Sequence, residues 1–165
     1  NFYLGLHYAP LSHVNKANEI SLLRGACVLI KKEVIKKIGL LDSNFFLYFD
    51  EPDLCYRAKK AGYKIMYVPT AKVYHRISKY KLSKSFSGKI NPVVLYYSTR
   101  NELLFARKHL NPLVFFPLWV PRFVSRIIRY WFKSRSVIVI KAILKGFYDF
   151  TRSTYGKLNC EFEEL

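Results

Sequence analysis

Hydrophobic and polar positions change period several times along this chain, and each change predicts an element. Residues 1–18 have no period and read as a loop, with His7 and His13 in surface or packing roles. Residues 26–30 are an unbroken apolar run, which predicts a buried strand. Residues 31–38 follow as a short helix, with Val34, Ile35 and Ile38 inward and Gly39 as its C-cap. After an aromatic run, Leu54, Ala58 and Ala61 share one helical face, and Gly62 is placed to end that helix. Residues 63–68 alternate like a strand into Pro69, and residues 71–74 lead into His75. Residues 76–91 are basic and serine-rich, a loop or lid on one reading and a solvated linker on the other. Residues 93–109 read as a helix. Residues 110–121 are uncharged but contain Pro112, Pro117 and Pro121, too short and too broken a run to cross a bilayer. Arg122, Arg126, Arg129 and Lys133 then make one basic stripe on a helix, and residues 137–150 predict another apolar helix. Residues 161–165 form an acidic tail.

Composition narrows the class. Half of the 165 residues are hydrophobic and 17% are aromatic, which excludes a disordered chain. The length suits one domain's worth of core, organised as residues 1–109 and a basic, helical, membrane-proximal region of residues 110–165. The sequence opens on Asn1 and carries its one methionine at position 66, so a piece of a longer polypeptide is expected. Cys27, Cys55 and Cys160 are scattered and odd in number, which fits a reducing compartment better than a disulfide or zinc framework.

The net charge of +17 calls for an anionic partner. Nucleic acid is the generic candidate, yet no nucleic-acid-binding motif is visible, and none is expected as a partner. The basic stripe at 122–133, flanked by Phe123, Val124, Ile127, Ile128, Tyr130, Trp131 and Phe132, instead describes a helix lying on an anionic membrane surface. The plainer alternative is an ordinary amphipathic helix packed on its own domain.

Against this basic background stands an acidic knot, Asp50, Glu51 and Asp53, after which no acid appears until Glu102. Phe45, Phe46, Tyr48 and Phe49 precede it and would dock it against a core. Two readings stand side by side. Asp53 suits an N-cap or first-turn position, where a carboxylate favours the helix dipole, with Asp50 and Glu51 merely exposed. A carboxylate held against aromatic walls also suits a general base.

Taken as a string, the knot and its surroundings resemble the C-terminal half of the catalytic domain of family 2 glycosyltransferases, the inverting enzymes of GT-A fold, especially their rhamnosyltransferase-like branch. The residues that carry the resemblance are Gly25 and Ala26 with the apolar run after them; Leu41 and Asp42; Phe45, Phe46 and Tyr48; Asp50 and Glu51; Asp53 and Leu54; Arg57 and Gly62; then Pro69, Ala71, Val73 and His75. It extends over residues 24–109. An α/β fold is therefore expected, the C-terminal portion of a Rossmann-like GT-A domain followed by amphipathic helices.

The resemblance implies transfer of a sugar from a nucleotide-sugar donor to a saccharide or lipid-linked acceptor by an inverting, metal-assisted displacement. By position it makes Glu51 the general base. Most members carry Glu-Asp where this chain has Asp50 and Glu51, so Asp50 is held in reserve. Asp53 and Arg57 would shape the acceptor site. Arg100, of an Arg-Asn pair with Asn101, would contact the diphosphate or brace Glu51 or Asp53. His75 would complete the shell of a divalent metal, magnesium or manganese, in the complete enzyme. The D-x-D that holds this metal in the family is absent from the sequence, so the chain alone is expected to be inactive. An inactive membrane-associated remnant or binding module is the alternative. The expected location is cytoplasmic, peripheral to the inner face of the membrane, in polysaccharide or cell-envelope synthesis.

Overall fold

A computed structural model describes residues 16–23, 27–74 and 90–158. They fall into two compact units, one drawn from residues 1–42 and 50–76 and the other from residues 43–49 and 77–165.

The first unit contains β1 (Asn18–Glu19), α1 (Lys32–Ile38), α2 (Asp50–Lys60) and β2 (Met66–Tyr67). The two strands pair antiparallel, Asn18 opposite Tyr67 and Glu19 opposite Met66, and the Ile20 N–H extends the ribbon by donating to the Ile65 carbonyl at 2.8 Å. Cys55 of α2 packs on Leu22 and Ile65 to make the small core beneath it. Both glycine stops act as the sequence predicts. Gly39 (φ 80°) closes α1 with its N–H on the Ile35 carbonyl. At the end of α2, the Tyr63 and Gly62 N–H groups return to the carbonyls of Ala58 and Lys59, the paired bonds of a Schellman turn, with Gly62 at φ 87°. Val34, Ile35 and Ile38 are half-buried, as their spacing requires.

The expected Rossmann-like sheet is not found among the described residues, which carry only the two-stranded antiparallel ribbon. Residues 28–30 are not a strand, and Leu29 is 98% exposed. An apolar run forms a buried strand only when neighbours pair its backbone on either side, and no described strand does so here. The strand expected over 63–68 is likewise reduced to Met66–Tyr67.

The second unit is helical: α3 (Pro92–His109), α4 (Pro112–Ser134) and α5 (Val137–Thr151), together with the segment 43–49. Both α3 and α4 begin with the same device. Asn91 and Asn111 accept from the N–H two residues on, each at 2.9 Å, and proline fills the first helical position, where no N–H is needed. The sequence reading expected prolines to break residues 110–121, but α4 runs through Pro117 and Pro121 without interruption. Both prolines are on the exposed side of the helix, where water can satisfy the carbonyls they leave unpaired.

The core forms where α3 meets α4 and α5. Leu103, Ala106, Phe115 and Trp119 make one cluster, and Leu95, Val139 and Ile143 another. Trp119 stacks on Phe123 and Phe147, with ring centroids 4.6 and 5.8 Å apart. Gly146 lets α5 approach α3 closely, for a Cβ there would lie 2.6 Å from the Tyr96 carbonyl oxygen. No described helix is long and apolar enough to cross a membrane.

Candidate active site

The acidic knot is the first turn of α2, which opens on Asp50 and holds Glu51 and Asp53 within its first four residues. Acidic residues suit such a position, because a helix start carries unpaired N–H groups and the positive end of its dipole. Pro52 fits the same turn, because an N–H there would lack an intrahelical acceptor. The three acids then part company. Asp53 is fully buried, and its Oδ2 accepts from Arg57 Nε at 2.7 Å one turn on. Arg57 also donates to the carbonyls of Ile38 and, at 2.8 Å, Leu40, just where α1 ends. Asp53 and Arg57 thus tie the end of α1 to α2. Asp50 and Glu51 are half-buried at the mouth of the turn. Burial pushes the Cys55 thiol above its usual range, and the Glu51 carboxylate one turn away pushes it the same way.

The aromatic run that feeds into Asp50 belongs to the second unit. Phe45 is completely buried there, Phe49 packs on Phe105 and Phe46 on Tyr97, while Phe46 and Tyr48 keep one side exposed. Phe46, Tyr48 and Phe49 all have left-handed backbone, at φ 56°, 64° and 70°. Such bulky residues adopt it only where surrounding structure imposes it. Asn101 does so, its Nδ2 donating to the carbonyls of Phe45, Leu47 and Tyr48 at 2.7, 2.8 and 2.9 Å.

Arg100 continues the clamp. It is 1% exposed, and its five N–H groups go to Asn101 Oδ1, the Tyr96 hydroxyl and the carbonyls of Gly156, Asn44 and Phe45. No donor is left over for a diphosphate in this arrangement. Arg100 thus braces the 43–49 segment through its carbonyls. Behind it, buried Asp149 accepts from Tyr96 at 2.7 Å and from Lys145 at 2.5 Å. Burial, reinforced by the bond to Asp149, pushes the Tyr96 hydroxyl well above its usual range.

The sequence reading paired Arg100 with Asn101 but assigned Asn101 no role, and it missed Asp149 and Tyr96 altogether. Tyr96 and Asp149 meet across 53 residues of chain, where no local spacing points. His75 lies outside the described residues. Among those described, no three His, Cys, Asp or Glu side chains group closely enough to hold a metal ion, and Asp53 is already committed to Arg57. The described residues alone do not fit a divalent ion.

Comparison with known proteins gives the chain a family. Residues 1–90 match the family described as glycosyltransferase like family 2, and the chain belongs to it. Among curated proteins it is 36% identical over 56 residues to N-acetylglucosaminyl-diphospho-decaprenol L-rhamnosyltransferase of Mycobacterium tuberculosis, 34% of this chain and 18% of that protein. It is 26% identical over 125 residues to the dTDP-rhamnosyl transferase RfbF of Shigella flexneri, 66% of this chain and 42% of that protein. A low-salt glycan biosynthesis hexosyltransferase of Haloferax volcanii is 39% identical over 41 residues, 25% of this chain and 13% of that protein. The aligned stretches therefore span less than half of each relative. No solved structure matches the chain.

Proposed function

We propose that this chain supplies the acceptor-side half of a sugar-transferring catalytic domain, with Glu51 as the general base. The observation that carries the reading is a half-buried Glu51 in the first turn of α2, in a chain of this family. In the reaction, an acceptor hydroxyl attacks the anomeric carbon of a nucleotide-activated sugar. The new C–O bond forms as the bond to the diphosphate breaks on the opposite face, the hydroxyl proton passes to the Glu51 carboxylate, and the nucleoside diphosphate leaves with the electron pair. Asp50, its neighbour in the same turn, is the reserve for that role. Asp53 and Arg57 hold the turn in place and do not touch the reacting atoms.

The donor class we propose is a deoxynucleoside-diphospho-rhamnose or related hexose, and the acceptor a saccharide or lipid-linked saccharide. The names of the relatives support both. A lipid-linked acceptor sits in a bilayer, so a cytoplasmic position peripheral to a membrane, in cell-envelope polysaccharide synthesis, belongs to the same proposal. The test is an assay of the polypeptide carrying this chain with a panel of nucleotide-sugars and a polyprenyl-diphosphate-linked acceptor. Labelled sugar should appear in the lipid fraction with inverted anomeric configuration.

A second reading is an inactive remnant or binding module. What favours it is the lack of a D-x-D in the 165 residues, together with the lack of a metal-sized cluster among the described ones. Acceptor binding without turnover of any donor would support it.

A further inference from the structure

The four aromatic residues before the acidic turn do not share one task. Phe45 is completely buried and Phe49 packs on Phe105, so these two anchor the segment. Phe46 and Tyr48 stand between the anchors, yet remain 49 and 40% exposed. The backbone that presents them is itself costly, since left-handed φ at Phe46, Tyr48 and Phe49 is unfavourable for bulky side chains. Arg100 and Asn101 hold that backbone through the carbonyls of Asn44, Phe45, Leu47 and Tyr48. The Phe46 ring is fixed further by Tyr97, with ring centroids 5.4 Å apart. Two aromatic side chains on a turn held in this way have little freedom left to lose when a ligand arrives.

The charge along this stretch limits what the ligand is. In a chain of net charge +17, residues 38–56 carry Asp42, Asp50, Glu51 and Asp53 and no lysine or arginine. The cations that reach the stretch from outside it are engaged: Arg57 on Asp53, Arg100 on backbone carbonyls, and Lys108 over the ring of buried Phe45. A diphosphate or an anionic lipid is disfavoured beside such a stretch. What suits it is a neutral ligand with an apolar face and a polar edge. A pyranose is such a ligand, because the C–H bonds of one face can rest on an aromatic ring while its hydroxyls stay in water or meet carboxylates. Tyr48 precedes Glu51 by three residues, so the covalent chain alone keeps their Cα atoms within about 11 Å of each other.

We propose that Phe46 and Tyr48 form the platform on which the acceptor saccharide stacks, one pyranose face against the rings. The proposal rests on the sugar-transfer reading given above, but its first test contains no donor and does not depend on Glu51, so the two can fail separately. That test is saturation-transfer NMR on the polypeptide carrying this chain, with the methyl pyranosides of N-acetylglucosamine, rhamnose and galactose as probes. Saturation should reach the C–H protons of one pyranose face, in the parent and in Glu51→Gln alike. It should fall by about tenfold in Phe46→Leu/Tyr48→Leu and persist in Phe46→Tyr/Tyr48→Phe, which keeps both rings. In the transfer assay, the leucine pair should raise the acceptor KM by about tenfold and leave kcat and the donor KM near parental. No saturation of any probe by the unaltered protein would overturn the proposal, whatever the variants do. So would a leucine pair with a parental acceptor KM and a lowered melting temperature, for the rings would then be packing against the rest of the polypeptide.

Discussion

The side-chain nitrogen of Asn101 lies 2.9 Å from the carbonyl oxygen of Tyr48, two residues before α2 begins. The same nitrogen reaches the Phe45 and Leu47 carbonyls, so one amide holds a turn of three left-handed aromatic residues that would otherwise unwind. Replacing that donor with an acceptor should be worse than removing it. Asn101→Asp is expected to lower stability by about 3 kcal/mol, through three lost hydrogen bonds and a carboxylate oxygen set against the carbonyls of Phe45, Leu47 and Tyr48. Asn101→Ala should lose less. Urea denaturation measures both, and an Asp variant as stable as the parent would rule out the clamp.

Asp53 and Arg57 form the second tie. Because Asp53 is wholly buried, removing Arg57 takes away the cation held 2.7 Å from its carboxylate. Arg57→Met should therefore destabilise the first unit by about 3 kcal/mol, whereas Asp53→Asn/Arg57→Met should recover part of that loss. A double-mutant cycle reads the coupling, and strict additivity would show that the two side chains act separately.

Tyr96 gives the fold an alkaline limit. Its hydroxyl holds its proton more tightly in the folded chain than the ordinary value of 10, so above that value the folded state binds more protons than the unfolded one. Its contribution is complete below pH 10 and is lost as the pH rises from there towards the folded value. Thermal melts between pH 8 and 11 should show this loss in the parent and a flatter profile in Tyr96→Phe. Equal slopes would remove Tyr96 as the cause.

Much of the helical part of this structure could be read from the sequence, for reasons that are local. Gly39 and Gly62 stop α1 and α2, the stretch 93–109 anticipates α3 and the apolar spacing of 137–150 anticipates α5, whereas the start of α4 at Pro112 lies ten residues before the stripe that announced it. What escaped the reading depends on distant partners. A stripe of Arg122, Arg126, Arg129 and Lys133 has the same spacing whether it faces water or Glu102, and only α3 shows that half of it turns inward. Nothing about Phe46, Tyr48 or Phe49 hints at left-handed backbone, since phenylalanine and tyrosine avoid it; the clamp that enforces it comes from more than 50 residues on. The apolar run at 26–30 carried a strand's composition without the neighbours a strand needs. At the site, the acidic turn and its Asp53–Arg57 spacing were visible as motifs. The commitment of Arg100 to backbone carbonyls was not.

Donor binding tests whether the chain alone carries a complete site. With no D-x-D in the sequence and no metal-sized cluster among the described residues, the 165-residue chain alone should bind manganese and nucleotide-sugars weakly or not at all in calorimetry. Positioning of a donor opposite its base is worth roughly 7–11 kcal/mol of a barrier, so donor hydrolysis by the chain alone should be undetectable as well. Tight, manganese-dependent binding would mean that the chain holds a complete donor site.

The role of Glu51 is open to one decisive comparison, made in the polypeptide that transfers sugar. Glu51→Gln keeps the size and the helix start but removes the proton acceptor, so turnover should fall by about 10²–10⁴-fold, while acceptor binding and the melting temperature stay near those of the parent. Asp50→Asn, in the same turn, should retain most of the rate. A folded Glu51→Gln protein with near-parental turnover would contradict the assignment, and a collapse of rate in Asp50→Asn alone would move the base to its neighbour.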